Sequence, residues 1–369
     1  MAVSADLLRL GIVREATPGV IPANPAFQLL RVTSESLAFQ PETQLSNELN
    51  PDRQLTDVIT SGGQSGGDLS FEVSSNPGFE MLLEGALGNT WSGDILSVGN
   101  LLMTHAIEKR FTFDPADPDP LRQYEYNRVV RALVDSMTLT FTTGGPATGS
   151  ATILGGAYTR DASALAGATY TDAGKLPVMV GSQVFPLTFT IEGTDYTAWC
   201  VSQLVVNLRN NGRAIACLGQ EGASEVVLGR FECEITATIY INPETQALMD
   251  AFLNRTEMAL EFSVSDALDN AYTFTFPRVR VSAATQVAAG TNQDVVLETT
   301  LQALVTELDV PPGPDTTVNT CVQIIREHIT VPWPIGPDTF QASRMRPMQQ
   351  AFVLDSGPLS PPPPEMPVS

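Results

Sequence analysis

Few residues of this 369-residue chain are of types that could do chemistry. Its only histidines are His105 and His328, and its only lysines Lys109 and Lys175. A nucleophilic triad needs an imidazole, or a lysine standing in for it, beside an activated Ser or Cys. His105 lies in the strand-like run LLMTHAIEKRF and His328 near the C-terminus, and neither neighbourhood suggests a base. Cys200, Cys217, Cys233 and Cys321 form no CxxC pair, so no zinc site of ordinary spacing can be drawn. All four read as structural, Cys233 as a small buried hydrophobe within FECEITATIY. Carboxylate pairs remain, Asp52 with Asp57 and Glu232 with Glu234; the second falls at i and i+2 on one strand face, which a solvated face explains. The glycine-rich SGGQSGGD (61–68) lacks the Lys-Ser/Thr of a phosphate loop and leads into a strand, so it reads as a hairpin tip. The expectation is no catalytic site, no cofactor and no metal.

Charge narrows the classes further. Lys plus Arg number 20 against 41 Asp plus Glu, a net charge of −21. The acid is spread along the whole chain, and such a protein repels nucleic acid, because phosphate binding is driven by Lys and Arg displacing counterions. No run approaches the roughly 18 apolar residues of a membrane span. The opening MAVSADLLRLGIVREA carries Asp6, Arg9, Arg14 and Glu15 where a signal peptide is apolar. These features lead us to expect a protein made and kept in a cytosol, where disulfides are rare.

The elements that must position these residues are mostly strands. DLSFEV (68–73), DSMTLTF (135–141), QLVVNL (203–208), FECEITATIY (231–240), YTFTF (272–276) and VVLETTLQAL (295–304) are rich in Thr, Val, Ile and Phe, and many alternate apolar with polar residues. Gly, Pro, Asn and Ser clusters separate them, as in TTGGPATG (142–149) and NNG (210–212). The fold class expected is all-β dominated, with sandwich or barrel domains each flanked by a short helix. One helix opens at Asn76-Pro77, with Phe79, Leu82, Leu83, Ala86 and Leu87 on one face; the other opens at Asn242-Pro243, with Leu248, Met249, Phe252 and Leu253. Asn can accept from a free N–H of the first turn, and Pro there forfeits no bond.

The two helix starts lie 166 residues apart and each follows a strand; SESLAF (34–39) matches VSQLVV (201–206) at 167. An offset that holds across separated segments is the mark of an internal duplication. The organisation expected is an N-terminal arm (1–26), a first β-domain (27–158), a linker (159–184), a second β-domain (185–326) and a Pro-rich C-terminal arm (327–369). A neighbouring copy is the simplest candidate to hold the arms.

The block TSESLAFQPETQLSNELNPDRQLTDVITSGGQSGGDLSFEVSSNPGFEMLLEGALGNTW (33–91) resembles the N-terminal part of a family of siphophage tail tube proteins. HAIEKRF (105–111), RFECEITATIY (230–240), YTFTFPRVRV (272–281), GTNQDVVLETTLQAL (290–304) and CVQIIR (321–326) resemble its later segments in the same order. The resemblance implies β-sandwich-like tube domains oligomerised into rings, stacked into a tube through which genome DNA leaves the capsid without specific binding. It implies as partners further copies of the chain and the tail tip, tape-measure and tail terminator proteins, with no membrane. The chain departs from the family pattern after Arg326.

Several finer expectations follow. Pro41 to Gly66 reads as a long loop reaching an adjacent ring, with Glu42, Glu48, Asp52, Arg53 and Asp57 as polar, salt-sensitive contacts. Two tube domains per chain would make a six-domain ring from three chains. His105→Ala and His328→Ala are expected to leave assembly nearly intact. The alternatives are a carbohydrate-binding, adhesin-like β-protein, disfavoured by only three scattered Trp (Trp91, Trp199, Trp333), and a hydrolase, disfavoured by the scarcity of His and Lys.

Overall fold

A computed structural model of the chain describes residues 4–49, 51–52, 54–173, 179–218, 222–288, 290–309 and 317–327. Arg53, Lys175, His328, Trp333 and the C-terminal arm beyond residue 327 lie outside them. The described chain is built of strands and two α-helices, as the alternating Thr/Val/Ile/Phe runs dictate. In chain order its first strands are β1 (Arg9–Arg14), β2 (Ala26–Leu29), β3 (Val32–Glu35), β4 (Ala38–Leu45) and β5 (Val58–Glu72). After helix α1 (Pro77–Leu87) come β6 (Ile95–Ser97), β7 (His105–Thr112), β8 (Tyr124–Thr142), β9 (Thr148–Gly155), β10 (Ala157–Asp161) and β11 (Thr169–Thr171). Next are β12 (Val184–Ile191), β13 (Thr194–Tyr196), β14 (Val201–Arg209), β15 (Arg213–Ala216), β16 (Ala223–Val227) and β17 (Glu232–Tyr240). Helix α2 (Gln246–Asn254) precedes β18 (Glu257–Ser265), β19 (Ala271–Ala288), β20 (Val295–Ala303), β21 (Thr306–Asp309), β22 (Thr317–Thr320) and β23 (Gln323–Glu327).

Both helices start where Asn-Pro places them. Asn76 accepts from the Phe79 N–H at 2.9 Å. Asn242 accepts from the Glu244 and Thr245 N–H groups at 3.0 and 2.9 Å, capping a 3-10 turn that runs into α2. Helix α1 buries Phe79, Leu82, Leu83, Ala86 and Leu87. Helix α2 buries Leu248 and Ala251, with Met249 and Phe252 packed at the margin, whereas Leu253 faces solvent, 69% exposed. Leu253 stands about 140° round the helix from Leu248 and so leaves the face that Leu248 and Ala251 bury.

Strand pairing follows one order twice, antiparallel throughout. The first runs β4–β5–β9–β8–β7–β1. The second runs β14–β17–β20–β19–β18–β12. Register shifts recur at corresponding points. They fall between Val32 and Ser34 and between Val201 and Gln203; between Val134 and Ser136 and between Val281 and Ala283; between His105 and Ile107 and between Met258 and Leu260. Superposing these shifts sets β3–β4 onto β14 at an offset of 169, β5 onto β17 at 168, β8 onto β19 at 147 and β9 onto β20 at 148. The ladder position of Leu69 is therefore that of Ala237, two residues beyond Ile235, where the 166-residue spacing of the helix starts would put it. A slip of two keeps every side chain on its own face, so hydrophobic pattern alone does not detect it.

The longest strand, β8, changes partners along its length. The N-terminal half of β8 pairs β7 and β10, and its C-terminal half pairs β9 and β14. Arg131, at φ 55°, marks the change between them. Its backbone N–H donates to buried Glu15, which also accepts from the Gly19 N–H and the Thr104 hydroxyl, at 2.7 to 2.9 Å. A buried carboxylate satisfied by three donors pins the N-terminal stretch, where β1 pairs β7 from Arg9↔Arg110 to Arg14↔His105. Within the described residues that stretch is thus held by its own chain. The stretch expected as a linker carries β11, paired in parallel with β2. Tyr170 of β11 donates its hydroxyl to Glu108 at 2.6 Å, and Glu108 in turn binds fully buried Arg128 of β8 at 2.6 Å, which is also bound by Asp161.

The region expected as a structureless loop is largely a two-stranded ribbon. β4 and β5 pair from Ala38↔Gly66 to Leu45↔Val58, leaving only 46–57 as connection. A ribbon with both faces in solvent shows no apolar alternation, so its strands carry no periodic signal. The glycine-rich segment lies inside β5, not at a tip. At Gly66 and Gly67 the chain runs at φ 151° and 144°, and a Cβ would stand 2.3 Å from the Ile153 carbonyl oxygen and 2.5 Å from that of Ser36. Glycine is what lets three strands meet there.

Candidate functional site

The C-terminal halves of β8 and β19 build one continuous sheet, because β8 pairs β14 as well as β9. Its order is β4–β5–β9–β8–β14–β17–β20–β19. Alternation along each strand gives the sheet two unlike faces. One face holds Leu69, Phe71, Ile153, Leu139, Phe141, Leu204, Val206, Ile235, Ile239, Leu297 and Leu301, all buried in the core with α1 and α2.

The opposite face is hydroxyl and carboxylate. The ladder puts Asp68, Thr152, Ser136, Arg209 and Glu232 in one row across five strands. A second row runs Ser70, Ser150, Thr138, Asn207, Glu234 and Gln302, and a third Glu72, Thr148, Thr140, Val205, Thr236, Thr300 and Ala283. Cross-strand bonds order it: Thr152 donates to Asp68 at 2.7 Å and Thr138 to Asn207 at 2.9 Å. The Arg230 guanidinium, bonded to Glu232, holds that carboxyl below its ordinary pKa. The acids on this face are Glu42, Asp68, Glu72, Glu232, Glu234 and Glu298, against Arg209, Arg278 and Arg280, and Arg278 and Arg280 are both paired with Glu257, at 2.6 and 2.8 Å. Among the described residues the carboxylates on this face outnumber the guanidinium groups, and it is Lys and Arg that bind phosphate.

Of the residues singled out from sequence, Glu42 lies on β4 at the ladder position of Gly62, on this polar face. Glu48, Asp52 and Asp57 are exposed in the connection 46–57, and Arg53 is outside the described residues. Leu49 beside them is 97% exposed and Leu45, Leu55, Val58 and Ile59 are also exposed, an apolar component the charge reading missed. The strand edges were missed too, since edge status depends on pairing and not on composition. His105 is fully buried, and burial first, then the charge of Arg14, lowers its pKa to about 4, so it is neutral near pH 7. Burial pushes the Cys233 thiol far up and Cys321 to about 11; Cys200 and Cys217 are exposed. Among the described residues no cluster of His, Cys, Asp or Glu is placed to hold a metal ion. No described helix is long and apolar enough to cross a membrane.

The adhesin-like alternative required exposed aromatic platforms. Trp199 is buried against Phe189 and Tyr196, and Trp91 is partly buried with the Arg326 guanidinium over one face of its ring.

No curated protein matches the chain. A family model described as phage tail tube protein matches residues 6–303, which takes in the whole eight-strand sheet. The chain belongs to the phage tail tube protein family and is a structural component of the virion tail that self-assembles into a tube with other tail components.

Proposed function

We propose that three copies of the chain close each ring of the tube, each contributing two tube domains, residues 27–158 and 185–326, related by internal duplication. The observation that carries this reading is the recurrence of strand order and register shifts in the two halves. The polar face of the eight-strand sheet lines the bore, and its excess of carboxylates over free cations lets DNA slide past without specific binding. The apolar face and both helices lie away from the bore. The chain acts as a scaffold and not as an enzyme.

Rings stack through the β4–β5 ribbon, whose connection carries Glu48, Asp52, Arg53 and Asp57, with Glu42 at its base. Exposed Leu49 adds apolar area to those contacts. Assembly takes place in the host cytoplasm, and the tail tip, tape-measure and tail terminator proteins meet the tube along its length and at its ends. Electron microscopy of the purified protein tests the reading: hollow tubes of even bore are expected. A protein that stays monomeric at every concentration and salt would overturn it.

A further inference from the structure

The β4–β5 ribbon has a counterpart in the second half. In the β15–β16 hairpin Arg213 pairs Val227 and Ala214 pairs Val226. The offsets of 169 and 168 carry these pairs onto Gln44↔Ile59 and Leu45↔Val58, which are pairs of the first ribbon, and carry fully exposed Leu218 onto exposed Leu49. The two ribbons differ in burial. β16 lies against β5 and β9 of the first half, where a Cβ on Gly156 would stand 3.4 Å from the Ala223 carbonyl oxygen, and both Ala223 and Val226 are buried. Their counterparts, Leu55 and Val58, are 56% and 50% exposed.

The seat that β16 fills recurs in the second half, with no occupant among the described residues. The offset of 148 sets Gly155, Gly156 and Ala157 onto Ala303, Leu304 and Val305. Local bonding agrees: the Gly156 N–H donates to the Val130 carbonyl at 2.9 Å and the Leu304 N–H to the Arg278 carbonyl at 2.8 Å, each 148 residues on. Ala303, Leu304 and Val305 join Val98, Phe231 and Cys321 in lining a largely apolar groove of about 690 Å³ there.

We infer that this groove receives the base of the β4–β5 ribbon, Leu55 to Ile59, from the neighbouring copy in the same ring, as the first half receives β16 within the chain. In a ring whose two halves take equivalent places, the ribbon of each half lies on the half beside it, and beside the first half's ribbon is the second half of another chain. Leu55 then meets Leu304 where Ala223 meets Gly156. Burial of Leu55 and Val58 in the groove takes from water apolar surface that each separate copy exposes. The tip of the ribbon lies beyond the groove and is left for stacking. The inference rests on the three-copy reading above but is separable from it.

Chemical cross-linking tests it. In a Cys200→Ser/Cys217→Ser/Cys321→Ser background, Leu55→Cys with Leu304→Cys is treated in assembled tubes with a short bis-maleimide. Covalent dimers and trimers, and nothing longer, are expected on a denaturing gel, because a three-copy ring closes on itself. Leu49→Cys with Leu304→Cys is expected to stay monomeric, since the counterpart of Leu49, Leu218, is fully exposed and does not enter the seat. Three-copy tubes that give no product with Leu55→Cys, or an equal one with Leu49→Cys, would overturn the groove contact and leave the three-copy reading standing. So would a ladder running past trimers, which would put the contact between rings. Rings of six copies would overturn both.

Discussion

Asn210 donates through Nδ2 to the Val134 carbonyl at 2.8 Å, and the same amide reaches the Gly85 and Ala86 carbonyls at 3.2 and 3.0 Å. One buried side chain just after β14 thus shares its two N–H donors among a carbonyl of β8 and two carbonyls near the end of α1, which no helical N–H can reach. It links the second half of the chain to the helix and sheet of the first.

Asn210→Leu leaves three buried acceptors without this donor and is expected to cost about 1–3 kcal/mol of unfolding free energy. Urea denaturation of the unassembled chain reads it as a lower midpoint at constant slope. An unchanged midpoint would show that the carbonyls find other partners.

Arg128→Met strands the buried Glu108 carboxylate and is expected to destabilise by about 3–5 kcal/mol. Replacing both partners, Arg128→Met with Glu108→Leu, removes the stranded charge and is expected to recover much of that loss. A double variant no better than the single one would contradict this account of the cluster.

The His105 pKa falls from 6.5 to about 4 on folding. Between those values the unfolded chain holds the proton and the folded chain does not, so stability is fully present above pH 6.5 and declines as pH falls toward 4. The decline amounts to on the order of 3 kcal/mol. His105→Gln is expected to be less stable at pH 7 but to lose less between pH 7 and pH 5, as read by denaturation at both values. Equal slopes would contradict it. The same burial makes His105→Ala a cavity-forming change, not the neutral one its lack of chemistry suggests.

Replacing residues 46–57 by Asn-Gly closes the paired residues Leu45 and Val58 with a two-residue turn and removes every proposed stacking contact except Glu42. Single rings that do not stack are expected in electron micrographs. Tubes of normal length would contradict the assignment of this segment.

What the sequence made legible was whatever depends on local period. Asn76-Pro77 and Asn242-Pro243 marked both helix starts, and runs such as FECEITATIY marked strands with one buried face. The β4–β5 ribbon was illegible because exposure of both faces erases alternation, and SGGQSGGD was misplaced because glycine serves close strand approach as well as turns. The offset of 166 held for the helices but fell two short for β5 and β17, an error of one full strand period. Which strands end a sheet is a property of pairing between distant strands, and no local signal marks it.

The central claim is that one chain supplies two of the positions around a ring. The number of copies per ring, from mass per unit length of assembled tubes divided by the ring repeat, tests it most directly. The account predicts three chains of 39.5 kDa per ring, with three-fold symmetry and a near six-fold outline. Six chains per ring would contradict it, and would mean that the two matching strand orders do not occupy equivalent places in the tube.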